Sequence, residues 1–249
     1  LVHLTTQAPE GVWVRSLSSG QGGLGLWGPN ARAVLESLTH DDVSNEGFGF
    51  FRAKQIDIAG VSVLALRVSY VGELGWELYV SADNAVFLWD ALWEAGQAHG
   101  IIAAGRRAFN ALRLEKGYRA FGHDMTREHT PAEAGLSFAV RMAKDDFLGK
   151  AALAERPVTT RLVPLTLDDP TRVVLGAEPV FVPGTADAVG YVTSADQGYT
   201  IGASIAYAWL PPELAEPGTT LEIEYFAERL PATVRTEPLF DPEMAAIRR

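Results

Sequence analysis

Arg67-Val68-Ser69-Tyr70-Val71-Gly72-Glu73-Leu74-Gly75-Trp76-Glu77 is the stretch from which the fold is read. The residues leading into it, Val61 to Tyr70, are rich in β-branched and apolar side chains and predict a strand. Val71 to Gly75 carries two glycines and predicts a turn, after which Trp76-Glu77-Leu78-Tyr79-Val80 predicts a returning strand. The segment therefore reads as an antiparallel hairpin. Whether Tyr70 and Glu77 share a face depends on its register, because a slip of one residue sends every side chain to the other face.

Helix follows the hairpin. Ser81 or Asp83 is a candidate cap for a helix whose Ala85, Leu88, Trp89 and Leu92 recur at helical spacing, with Gly96 at its end. A second helix is expected from about Gly105 to Gly117, with Phe109 and Leu112 inward. Next come a polar, turn-rich segment from Gly122 to Pro131 and a strand at Leu136 to Arg141. On the N-terminal side, Val12-Trp13-Val14 and Leu24-Gly25-Leu26-Trp27 are strand candidates, and Pro29 suits the first position of a helix reaching Leu38. Beyond Pro157 the texture changes. Strands at Leu162–Leu167, Pro179–Val182, Ala188–Thr193, Thr200–Tyr207, Leu221–Tyr225 and Leu230–Arg235, broken by Pro, Gly and Asp turns, predict a small antiparallel barrel. The expected class is α+β, with a mixed lobe over 1–157 and a barrel over 158–249.

Composition narrows the function classes. The chain has 249 residues and a formal charge of −10, which argues against a general nucleic-acid or anionic-membrane surface. A local cluster, Arg106, Arg107, Arg113 and Arg119, still offers positive charge to an anionic ligand. The absence of cysteine excludes disulfides, thiolate metal sites and a cysteine nucleophile, and fits a cytoplasmic protein. No apolar run approaches the ~20 residues that cross a bilayer. The opening Leu1-Val2-His3-Leu4 has neither the features of a signal peptide nor an initiator Met, so residues upstream are expected.

Two patterns carry less than their letters suggest. Gly20-Gln21-Gly22-Gly23-Leu24-Gly25 spells a dinucleotide fingerprint, but it follows a polar segment and runs into a strand candidate rather than a helix, so a hairpin loop is the better reading. His123, Asp124, Glu128 and His129 are the densest group of metal-ligand types. Their spacing matches no familiar zinc site, so a solvated polar loop is expected and no metal is assigned. A nucleophile elbow and a phosphate-cradling loop are both absent.

The hairpin resembles the signature of the glycine-cleavage T-protein family, approximately Arg-x-Gly-Tyr-Thr-Gly-Glu-x-Gly-x-Glu. Three further pieces agree in order: Leu26-Trp27-Gly28-Pro29, Leu112-Arg113-Leu114-Glu115-Lys116-Gly117-Tyr118 and His129-Thr130-Pro131-Ala132-Glu133-Ala134-Gly135-Leu136. The variants Gly25-Leu26-Trp27-Gly28-Pro29 and Pro238-Leu239-Phe240-Asp241-Pro242 are most similar to the branch that forms the C-terminal region of flavin-dependent dimethylglycine oxidases and sarcosine dehydrogenases.

The resemblance implies tetrahydrofolate as ligand and one-carbon transfer to give 5,10-methylenetetrahydrofolate. It places FAD only in the region expected upstream, in an N-terminal flavin module of the same chain. By resemblance Glu77 accepts hydrogen bonds from the pterin edge, whose N–H and amino group form a donor pair suited to one carboxylate; an exposed strand carboxylate is the alternative. Tyr70 is the family's aromatic at that site. Trp76, Tyr118 and Phe138 are either stacking partners or core, and Phe138 stands where these proteins usually carry Trp. Where the family's helix often has an Arg for the folate tail this chain has Phe109, leaving Arg106 or Arg113 to substitute. The family's C-terminal Tyr has no counterpart in Pro242-Glu243-Met244. Its Asp near the reacting folate nitrogens lies upstream of residue 1, and none of Asp41, Asp42 or Asp57 matches it, so no catalytic residue is assigned. A non-catalytic folate-binding module and a stand-alone aminomethyltransferase are the competing readings.

Overall fold

The structure, a computed structural model, describes residues 1–249 and divides into two compact units. The first comprises 1–69, 73–103 and 244–249; the second comprises 70–72 and 104–243. No helix is long and apolar enough to cross a membrane.

The first unit opens on the short helix α1 (Val2–Gln7) and is built on a four-stranded antiparallel sheet. Its strands are β1 (Gln21–Trp27), β2 (Ala53–Ile58), β3 (Val61–Leu66) and β4 (Gly75–Ser81), in the order β1-β4-β3-β2. Helices α2 (Ala31–Glu36) and α3 (Ala85–Gly96) and the loop before β2 supply the rest of a core that gathers Val34, Leu35, Phe48, Ile56, Ile58, Val63, Trp76, Leu78 and Leu88. On α3 the expected stripe is narrower than its sequence spacing: Leu88 and Leu92 are buried, while Trp89 and Trp93 stack on each other in partial exposure.

The glycine run is not the expected hairpin loop: Gln21 to Gly25 lie within strand β1. A Cβ on Gly22 would come within 2.6 Å of the Ala85 side chain, so the missing side chain lets β1 lie close against α3. The candidate strand at Val12–Val14 does not form, and Trp13 is exposed. The strand expected through Tyr70 ends at Leu66. The Val68 amide turns back onto the Leu66 carbonyl at 2.9 Å, which breaks the extended path despite the strand-forming residues beyond it.

The second unit contains a closed barrel of strands β5 (Arg161–Leu167), β6 (Pro179–Phe181), β7 (Ala188–Gly198), β8 (Ala203–Leu210), β9 (Thr220–Tyr225) and β10 (Glu228–Val234). Around the barrel they run β10-β5-β8-β7-β6-β9, antiparallel at every seam, so the expected six-stranded barrel is present. Leu165, Val180, Val192, Ala206, Ala208, Leu221, Ile223, Ala232 and Val234 fill its interior. Helix α4 (Arg106–Glu115) packs along β7, and α5 (Lys150–Glu155) precedes the barrel.

Two expectations in this unit are corrected. Leu136 to Arg141 is not a strand: Ser137–Ala139 forms a single 3-10 turn closed by the Ala139 and Val140 amides, and Phe138 is exposed. On α4 the inward face is Ala111, Arg113, Leu114 and Glu115, with Phe109 and Leu112 only half-buried. Hydropathy hides this because two of the inward residues are charged. Their burial is compensated by specific partners, such as the Thr200 and Ile201 amides that donate to Glu115 Oε1 at 2.6 and 3.2 Å.

Candidate functional site

Glu77 sits in the middle of β4 on the sheet face opposite the core, half-buried, with Gly25 of β1 and Leu66 of β3 as its cross-strand neighbours. Tyr79 is two residues along and therefore on the same face, opposite Gly23 and Leu64. The Tyr79 hydroxyl donates to Glu77 Oε2 at 2.7 Å. This bond, reinforced by burial, raises the phenol above its ordinary range and keeps it a donor. Gly23 and Gly25 leave the β1 side flat, and the Trp27 ring fills the space above Gly25, where a Cβ would come within 2.1 Å of it. The Trp27 indole N–H donates to the Val68 carbonyl at 3.1 Å. The result is a carboxylate held in one orientation on a flat, partly apolar surface beside an indole, an arrangement suited to a planar ligand with a row of donors on its edge.

Tyr70 belongs to the second unit, in the segment between β3 and β4 rather than on either strand, so the alternation of strand faces does not govern it. Its ring stacks on Phe109 at 5.3 Å between centroids and on Tyr118 at 5.6 Å. Its hydroxyl donates to the Arg119 carbonyl. Burial, partly opposed by the nearby Arg113, raises the phenol, so it remains protonated. Tyr118 is raised by burial and then by Asp241. The Arg106 guanidinium lies over the Phe109 ring at 5.4 Å, extending the aromatic group with a cation on an exposed residue.

Arg113 is buried and engaged on every side. It pairs with Asp124 and donates to Asn110 Oδ1 at 3.0 Å, the Tyr118 carbonyl at 3.0 Å and Ser194 Oγ at 2.7 Å. Asp124 also accepts from Thr193, Ser194 and the Ala120 amide. Burial alone would raise its carboxyl, but Arg113 and these donors outweigh that and lower it. The polar loop expected around His123 to His129 thus has a buried anion at its centre, and it ties α4 to β7. His129 stacks flat on Trp209 at 4.0 Å.

The structure brings Tyr70 and Tyr118 together and sets Arg106 beside their partner Phe109. It places Trp76 fully in the core of the first unit, tilted against Phe48 at 6.3 Å, and leaves Phe138 exposed. Two residues of the Glu77 surface escaped the sequence reading. Tyr79 was marked only by the period of two from Glu77, and Trp27, though part of the Leu26–Pro29 motif, was given no place at the site until the pairing of β1 with β4 put it there.

Residues 1–144 match the family model described as the GCVT N-terminal domain, and residues 160–241 match the glycine cleavage T-protein C-terminal barrel domain. The chain belongs to the glycine cleavage T-protein family. Human mitochondrial dimethylglycine dehydrogenase is 40% identical over 92% of this chain, and 4-methylaminobutanoate oxidase (formaldehyde-forming) of Paenarthrobacter nicotinovorans is 39% identical over 90%. Aminomethyltransferase of Halalkalibacterium halodurans is 35% identical over 96% of the chain. The chain spans 27% of the length of each of the first two relatives and 66% of the third. The glycine cleavage system aminomethyltransferase T from Bartonella henselae superposes over 89% of this chain and 60% of its own, with a TM-score of 0.78 at 24% identity, which establishes the T-protein fold.

Within this family the resemblance drawn from the hairpin, the α4 segment and the Thr130-x-x-Glu133 segment holds. So does the expected succession of a mixed lobe and a barrel.

Proposed function

We propose that this T-protein-family chain is the tetrahydrofolate-binding, one-carbon-transfer portion of a larger flavin-dependent N-methylglycine oxidase or dehydrogenase. The observation that carries the reading is Glu77: a half-buried carboxylate, fixed by Tyr79, on a flat sheet face bordered by two glycines and an indole. A pterin edge presents an N–H and an amino group that one carboxylate accepts together. In this reading Glu77 grips that edge and Tyr79 holds the carboxylate in register. Arg113, in the second unit, holds α4 and Asp124 in place.

When bound, tetrahydrofolate would supply the two nitrogens that bridge a carbon at the formaldehyde oxidation level as 5,10-methylenetetrahydrofolate, water leaving if the carbon arrives as formaldehyde and the amine if it arrives as an iminium. The contribution of this chain is orientation and a fixed electrostatic environment, which together account for much of the acceleration available when two reactants are held together. Flavin chemistry is assigned to another part of a longer protein, consistent with the 27% span of dimethylglycine dehydrogenase. The greater coverage of an aminomethyltransferase favours a second reading, in which the aminomethyl group comes from a carrier rather than from amine oxidation.

The test is a crystal structure with folinic acid. The reading expects the pteridine ring over the β1–β4 surface, with its edge within hydrogen-bonding distance of the Glu77 carboxylate. A pteridine bound away from Glu77 would contradict it.

A further inference from the structure

On the core side of β4, directly behind Glu77, lies a group of side chains that the folate reading does not use. Trp76 is fully buried, and the guanidiniums of Arg32 and Arg67 approach its ring at 5.9 and 5.8 Å. Arg67 is itself only 1% exposed and immediately follows β3. The acceptors for its terminal nitrogens are main-chain oxygens: those of Phe48 at 2.7 Å and Arg249 at 2.7 Å. Arg32 donates to the same Arg249 main-chain oxygen, and to the Val43 carbonyl and Asn45 Oδ1. Two cations therefore converge on one oxygen of a segment, 244–249, that belongs to the first unit and buries Ala246 and Ile247 there.

Arg67 also begins the segment that leads to Tyr70 and returns at β4. Its amide donates to the Arg52 carbonyl and its carbonyl accepts from the Phe51 amide, at 2.9 and 3.0 Å. Val68 is then pinned by the Trp27 indole, and the return is pinned at Leu74, whose carbonyl accepts from the Gly28 amide at 2.8 Å. Removing the Arg249 main-chain oxygen would leave a buried guanidinium short of an acceptor. Arg67 Nε and Trp76 Nε1 already lack a partner in this group. A further unmet donor is costly enough there to move the side chain and with it the start of the loop.

We infer that residues 244–249 act as a strap, gripped by Arg32 and Arg67, that positions the loop between β3 and β4 and thereby the ligand surface at Glu77. Arg67 is the positioning residue in this arrangement, and Arg32 secures the strap to it. The inference rests on the folate reading for its functional consequence but not for its structural content, and the two are tested separately.

The experiment compares the full chain with a chain ending at residue 243 and with Arg32→Ala, using hydrogen exchange and folinic acid calorimetry. Exchange of amides 67–74 should rise about tenfold in the truncated chain and less in Arg32→Ala, the scale expected for one lost buried hydrogen bond to a charged group. Amides of β5 and β8 should keep their protection. The folinic acid Kd should rise by about tenfold in parallel, and a synthetic peptide of residues 244–249 should restore both readings. Unchanged exchange at 67–74 in Arg32→Ala and in a folded truncated chain would overturn the strap. If the truncated chain does not fold, Arg32→Ala decides the matter alone. If exchange shifts while the intact chain fails to bind folinic acid, the strap stands and the folate reading falls.

Discussion

The Tyr79 hydroxyl and the Glu77 carboxylate, two residues apart on one face of β4, are joined by a hydrogen bond of 2.7 Å. This contact turns a strand carboxylate into an oriented acceptor. Tyr79→Phe removes the donor and leaves the ring, so binding of folinic acid should weaken by about 2- to 12-fold, the worth of one net hydrogen bond. Calorimetry measures the change, and an unaltered Kd would mean that Tyr79 does not orient the carboxylate.

Gly25 faces Glu77 across β1 and β4, and its missing side chain accommodates the Trp27 ring. Gly25→Ala should push the indole off the sheet, at a stability cost of about 1–3 kcal/mol for overpacking. Urea unfolding gives the cost, and the shift in tryptophan emission reports the displaced ring. A variant as stable as the parent, with identical emission, would show that this surface is not close-packed.

Arg113 and Asp124 form an ion pair whose side chains are 2% and 1% exposed. Arg113→Ala leaves a buried carboxylate without its cation and should cost about 3–5 kcal/mol. The exposed pair of Arg172 and Glu228 is the control: Arg172→Ala should leave the urea midpoint essentially unmoved, because solvent screens such pairs. Equal midpoints for the two variants would contradict the role given to Arg113.

Glu133 has a distinct pH signature. Burial would raise its carboxyl, but donors from Thr130 and Thr159 outweigh it and bring it from the ordinary glutamate range down to about 2. A depressed carboxyl stabilises the fold fully above its unfolded value and loses that contribution as pH falls toward the folded one. Stability should therefore decline between about pH 4.5 and pH 2, by something of the order of 3 kcal/mol from this group. Glu133→Gln should flatten that part of the curve in acid titrations followed by circular dichroism. A curve of unchanged slope would remove Glu133 from the acid transition.

Much of this architecture was legible because it follows local rules. The six barrel strands are short runs set between turn-forming residues, and each begins and ends within five positions of its expected place. What escaped depends on partners distant in sequence. Val68, Tyr70 and Val71 have strand-forming side chains, yet a single amide folding back onto Leu66 ends β3. On α4, Arg113 and Glu115 point inward because Ser194, Asp124, Thr200 and Ile201 meet them, and no hydropathy pattern encodes those contacts. At the candidate site, the hairpin motif singled out Glu77 and Tyr70. Tyr79 and Trp27 emerged only with the register of β1 against β4, and Trp76 proved to serve the core.

The most direct measurement is calorimetric titration of the intact chain and of Glu77→Gln with folinic acid. The substitution keeps shape but exchanges one acceptor oxygen for a donor, so a ligand edge made of donors meets a donor in return. The account predicts measurable binding by the intact chain and a loss of about 10- to 100-fold in the variant, the scale of hydrogen bonds to a charged group. Equal affinities in the two proteins would contradict it.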